Sequence, residues 1–252
     1  CSAYFSAVGA TRQTNLVLGA GMTVRSITVN DVTNVTLNAD GNMLTIANAA
    51  GITVNGSAGT VTLNASITLG AAQTWFNSST NLLTIGGTVL NGGNLLTIAG
   101  AGNTTIFGTV LGAGGLAKSG IGALTLAGTN TYTGATTVNA GVVRIQNTAS
   151  LGSTAGGTVV TNTGEVQIDG SGLMIAEAIT IMSGTGSSGG GALRNLANTN
   201  TWAGSITLSN ATRVASDGGT LILTGGINGS VYGRALTIGG AGDVIVQTVA
   251  IG

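Results

Sequence analysis

One short string returns along this chain at related intervals. Asn-(Met/Leu)-Leu-Thr-Ile stands at Asn42–Ile46, Asn81–Ile85 and Asn94–Ile98, and the first interval is three times the second. Leu124-Thr125-Leu126, Ile206-Thr207-Leu208, Leu221-Ile222-Leu223 and Leu236-Thr237-Ile238 are shorter relatives. Fixed-interval repetition is the signature of a stacked array, in which each unit buries its apolar face only against its neighbours. Within each unit aliphatic residues alternate with Thr, which is the period of a half-buried strand.

The residues around these strands favour turns over helices. Gly accounts for 45 of 252 residues and Pro for none. Gly and Asn supply the positive-φ corners that β-branched residues resist. No segment carries a capped stripe at helical spacing. Charged residues make up 6% of the chain, and the whole stretch between Asp40 and Lys118 carries no charge. A globular sandwich would want longer strands, a charged outer face and aromatic anchors. A membrane barrel would want aromatic girdles, but aromatics are only 3%. A β-solenoid needs neither, and like charges stacked in a ladder would repel. The expected fold is all-β, a right-handed parallel β-helix occupying 1–252 as a single solenoid domain. At roughly 20 residues per coil it makes about 12 coils. Leu44, Ile46, Leu83, Ile85, Leu96, Ile98, Leu124, Leu126, Ile206 and Leu208 should point inward.

A family resemblance rests on residues 114–145. There the chain reads Leu124-Thr125-Leu126-x-Gly128-x-Asn130-x-Tyr132-x-Gly134-x-Thr136-x-Val138-x-x-Gly141, preceded by Gly114-Gly115-Leu116-Ala117-Lys118. This closely resembles the autotransporter-associated β-strand repeat. Weaker likenesses at Gln73-Thr74-Trp75 and Asn200-Thr201-Trp202 extend it over most of residues 60–245. The resemblance implies a bacterial, extracellular or cell-surface β-helix. On this reading, anchoring through a C-terminal translocator barrel after Gly252 is not expected. Cys1 is the one cysteine, which excludes an intrachain disulfide; position 1 reads as a cleavage boundary ahead of a lipid-bearing or intermolecular thiol.

Charge and composition narrow the function. Seven basic and seven acidic residues cancel, so there is no basic footprint for nucleic acid. No apolar run is long enough for a spanning helix. With no His in the chain, neither a Ser-His-Asp nor a Cys-His relay can form. Gly186-Ser187-Ser188-Gly189-Gly190 matches the nucleophile-elbow pattern, and Gly184–Gly189 matches a dinucleotide fingerprint. Both lie in the run 184–191, which reads as a glycine-rich loop without the helix those sites require. Gly239–Asp243 falls one residue short of the calcium nonapeptide. Glu165 and Asp169 alternate onto one strand face and read as solvated surface charges, with an acid–base pair as the alternative. Trp75, Trp202, Tyr132 and Tyr232 read as core or corner residues rather than a sugar platform. Asn-x-Ser/Thr triplets, such as those at Asn34 and Asn77, occur at about the chance level.

No catalytic, cofactor or metal site is therefore expected. The expected role is a non-catalytic structural protein that stacks with itself, head to tail, into a surface or matrix filament. The expected interface joins Val244, Val246, Val249 and Ile251 of one copy to Val24, Ile27 and Val29 of the next. Unguarded β-forming ends and zero net charge motivate it. The alternatives are an adhesin passenger fragment with glycan or cell-surface partners, and a secreted carbohydrate-active β-helix enzyme.

Overall fold

A computed structural model describes residues 1–5, 13–229 and 234–247. Among these residues there is no helix. The strands pair in parallel, and the chain winds as a β-solenoid of about ten turns. Successive register partners measure the coil. Ile27, Ile52, Trp75, Ile98, Lys118 and Val138 stand in line, one to a coil. The early steps of this series are longer than the later ones and exceed the coil length assumed from the sequence, so there are fewer turns than expected.

Each coil has three faces. The first runs through Ala3–Phe5, Ile27–Val29, Ile52–Val54, Gln73–Asn77, Leu96–Ala99 and Leu116–Lys118. The second runs through Val35–Leu37, Val61–Leu63, Leu83–Ile85, Thr104–Ile106 and Ala123–Leu126. Three longer strands, Thr136–Ile145, Thr158–Ile168 and Ile206–Ser216, pass through the corner and belong to both faces. The third face is a five-stranded sheet that ends at Val110–Leu111. It resumes as a four-stranded sheet at Met174–Ile175.

The repeated aliphatic–Thr units stack in register, so alternation along the sequence becomes ladders along the axis. On the second face Val35, Val61, Leu83, Thr104, Leu124, Val143, Val166, Leu193 and Val214 form one inward ladder. The neighbouring outward ladder is Thr36, Thr62, Thr84, Thr105 and Thr125, followed by Arg144, Gln167 and Arg194. Stacked Thr packs well on a pleated surface. All ten aliphatic residues expected to face inward are buried, each contributing about 1.5–3 kcal/mol. Trp75, Tyr132 and Trp202 are buried in the same core; Tyr232 lies outside the described residues.

Glycine sits at corners for a packing reason. Ala65, Gly87, Gly108 and Gly128 form a file in successive coils. A Cβ on Gly108 would collide with the carbonyl of Gly87, and one on Gly128 with the carbonyl of Gly108. Adjacent coils are about 4.8 Å apart, so a bend stacked directly on a bend leaves no room for a side chain. Asn198, at φ 62°, is the non-glycine residue with positive φ among those described.

Candidate functional site

Charge is concentrated on one outer face. Where the outward Thr ladder ends, Arg144, Gln167 and Arg194 follow one another in consecutive coils. Arg144 donates through Nε and Nη2 to Gln167 Oε1 at 3.2 and 3.0 Å. Gln167 Nε2 donates to Glu165 Oε1 at 2.7 Å. Arg194 bridges two carboxylates, with Nη1 at 3.3 Å from Glu165 and Nη2 at 2.7 Å from Asp217. The hydrogen bond to Asp217, helped by the one to Glu165, raises the affinity of Arg194 for its proton.

The glycine-rich loop closes over this cluster. Ser187 and Ser188 donate their hydroxyls to Glu165 Oε2 at 3.0 and 3.3 Å. Arg194 Nη1 donates to Ser188 Oγ at 3.2 Å, and Arg213 Nε to the carbonyl of Gly190 at 3.2 Å. Gly186, at φ 80°, packs directly on the carboxylate. Glu165 is consequently fully buried, which corrects the expectation of a solvated surface charge. Alternation places it on the outer strand face, but the loop in the following coil covers it. Asp169 accepts from Gln146 Nε2 at 3.0 Å instead. Glu165 and Asp169 therefore have separate donors.

Lys118 is a core residue that the sequence reading misses. It lies on the first-face inward ladder between Ile98 and Val138 and is 2% exposed. Its ammonium reaches the corner and donates to the carbonyls of Ser119, Gly120 and Ala140 at 3.0, 2.7 and 3.4 Å. Burial lowers its pKa to about 8. The sequence signal for this is its place, two positions after Leu116 in an alternating strand.

The expected assembly residues separate on inspection. Val246 is 43% exposed on a strand, Asp243–Val246, paired with Thr220–Leu223 on one side; Val244 is half-buried there. Val24 is buried on the terminal strand of the five-stranded sheet. Ile27 and Val29 are buried and paired on both sides, by Ala3–Phe5 and Ile52–Val54, so they present no free edge. Val249 and Ile251 lie outside the described residues.

A family model described as the passenger-associated-transport-repeat matches residues 116–145. Residues 116–145 thus carry an autotransporter passenger-type repeat. The chain is also similar to an adhesin autotransporter, BmaC, of Brucella suis biovar 1 (strain 1330), at 34% identity over 136 residues. That alignment covers 54% of this chain and 4% of the relative, so the chain spans a small fraction of the relative's length. No solved structure matches. The likeness to a passenger puts the chain outside the cell or at its surface.

The geometry explains the passenger repeat residue by residue. Leu124, Leu126 and Val138 point into the core. Asn130 joins the coils on either side of it: the Val110 amide donates to its Oδ1 at 2.8 Å, and its Nδ2 donates to the Ser150 carbonyl at 2.6 Å. Tyr132 fills the interior, with its hydroxyl 2.6 Å from Thr136 Oγ1. Gly134 stacks on the backbone of Gly114. Gly141 bends the long strand at φ 68°.

Proposed function

We propose that this chain is a non-catalytic, rod-like segment of an exported β-helix that spaces and presents an adhesive surface. The observation that carries this reading is that the carboxylates of Glu165, Asp217, Asp31 and Asp40 are already engaged by the protein itself. Glu165 is held by Gln167, Ser187, Ser188 and Arg194, and Asp217 by Arg194. Asp31 accepts from Thr33 and Gln13, and Asp40 from the amides of Gly19 and Asn42. An acid–base catalyst needs a carboxyl within reach of substrate. Among the described residues no group of three or more His, Cys, Asp or Glu could hold a metal ion. The likeness to an adhesin supports display of glycan or cell-surface contacts along the rod. Beads coated with the purified chain should be retained on cell monolayers or glycan surfaces. Absence of retention, together with polysaccharide cleavage abolished by Glu165→Gln or Asp169→Asn, would overturn the reading.

A second reading, end-to-end stacking into a filament, is favoured by the strand Asp243–Val246. Its described pairing lies on one side, and Ile245 and Val246 remain exposed. A further coil, from a longer polypeptide or from a second copy, would satisfy that edge. Light scattering separates these cases. Self-stacking requires a mass that rises with concentration and falls back in Val246→Lys. A stable monomer unchanged by that substitution excludes it.

A further inference from the structure

Four buried polar side chains follow one another through three coils. Tyr132 Oη lies 2.6 Å from Thr136 Oγ1, Thr136 is the register partner of Thr158, and Thr158 Oγ1 donates to Glu177 Oε1 at 3.3 Å. All four are buried, and Glu177 is 4% exposed. Glu177 Oε2 has no hydrogen-bond partner. The next coil brings Gly204 against the Glu177 backbone, where even a Cβ would collide with its carbonyl, so no side chain at that position can reach the carboxyl. In the same coil Trp202 Nε1 is likewise buried without a partner.

The charged groups on the surrounding elements are committed elsewhere. Tyr132 is the titratable side chain whose electrostatic interaction with Glu177 is resolved, and its own proton is held more tightly because of burial. Arg144, on the strand Thr136–Ile145, is bound to Gln167. Glu165, on Thr158–Ile168, is bound to Arg194. Arg213, on Ile206–Ser216, donates to Gly190. Among the described residues no Lys or Arg forms a salt bridge with Glu177.

This is also where the stack is least regular. The third face is interrupted between Val110–Leu111 and Met174–Ile175. Register slips occur between Val138 and Ala140, Thr158 and Val159, Ile179 and Met182, and Met182 and Gly184. The coil from Ile179 to Ile206 is longer than the coil from Lys118 to Val138, so extra chain must be accommodated here.

We propose that the contact between the coil of Thr158–Ile168 and the coil beginning at Ile179 is a pH-gated seam, which opens when Glu177 becomes charged. In a solenoid each coil touches only its neighbours, so one weakened interface divides the array into two cooperative blocks. A neutral carboxyl with one bare oxygen is tolerated in the interior, whereas an ionised one without a counter-charge is not. Burial raises the Glu177 pKa from 4.5 to about 7, opposed by the Thr158 hydroxyl. The folded stack therefore keeps this proton across a range in which the unfolded chain has lost it. The seam is tightest below about pH 4.5, loosens as pH rises, and is weakest above about pH 7.

Hydrogen exchange on the whole chain tests this. Protection factors, corrected for intrinsic rates, should fall at least about tenfold between pH 5 and pH 8 for peptides spanning 158–168 and 179–195. Peptides spanning 83–106 should hold constant. Glu177→Gln, neutral at both pH values, should retain protection at both. Should that variant fail to fold, urea unfolding of the unaltered protein decides the matter: one transition at pH 5 and two at pH 8. Equal protection at both pH values in the unaltered protein, a fall that persists in Glu177→Gln, or a single urea transition at both pH values would overturn the seam.

Discussion

Lys118 Nζ donates to the carbonyl oxygen of Gly120 at 2.7 Å, from a ladder position that Ile98 and Val138 fill in the adjacent coils. A side chain chosen for length thus occupies an aliphatic site and carries its charge to the corner, where it ties down carbonyls from two coils. No carboxylate forms a salt bridge with it among the described residues.

The first expected outcome follows from that amine. Its pKa is about 8 in the fold against 10.5 outside it. The unfolded chain therefore binds this proton more tightly, and the folded state gains stability as pH rises from about 8 towards 10. The gain over that range is about 2 kcal/mol. Above pH 10 Tyr132, whose pKa burial raises, acts in the opposite direction. Urea unfolding at pH 7.5 and pH 9.5 should show the increase, and Lys118→Met should abolish it.

Removing the Glu165 carboxylate should free the loop that covers it. Glu165→Ala deprives Ser187, Ser188, Gln167 and Arg194 of a shared acceptor. Arg194 keeps Asp217 as a partner, so the loss should be about 1–3 kcal/mol from the unmade hydrogen bonds. Limited proteolysis should then cut first within 185–190. Ser187→Ala with Ser188→Ala should cut there too while losing less stability. Unchanged cleavage would mean that the backbone alone holds the loop.

Corner glycines should differ by position. Gly108→Ala forces a Cβ into the Gly87 carbonyl and should cost about 1–3 kcal/mol. Gly21 meets nothing nearer than Met43 O at 4.0 Å, so Gly21→Ala should stay within about 0.5 kcal/mol. Thermal midpoints measured side by side give the comparison.

The tryptophans should behave as core residues. Trp75 is fully buried, and its Nε1 donates to Gln73 Oε1 at 3.0 Å. Both Trp75 and Trp202 should emit at short wavelength and resist quenching by acrylamide. Trp75→Ala should lose about 3–5 kcal/mol. Quenching at the rate of free tryptophan would contradict this placement.

Much of the fold was legible because its rule is local. Leu44-Thr45-Ile46 and Leu83-Thr84-Ile85 alternate with a period of two, and a period of two assigns faces without any knowledge of partners. The absence of charge between Asp40 and Lys118 has the same origin, since a side chain repeated in every coil meets its own kind along the axis. The candidate site was legible only in part. Glu165 was recognisable as an outward residue but not as a covered one, because the covering loop belongs to the following coil and its run of glycines has no period.

The strand period and the inward faces of residues such as Leu124 and Ile206 are written in the sequence, because each depends on neighbours within a few positions. The parallel pairing, the coil length, the burial of Glu165 beneath Ser187 and Ser188, the carbonyl cradle around Lys118 and the bare oxygen of Glu177 come from the winding instead. These depend on which residues the winding stacks about 4.8 Å apart, and coils of unequal length bring together side chains that no local pattern associates.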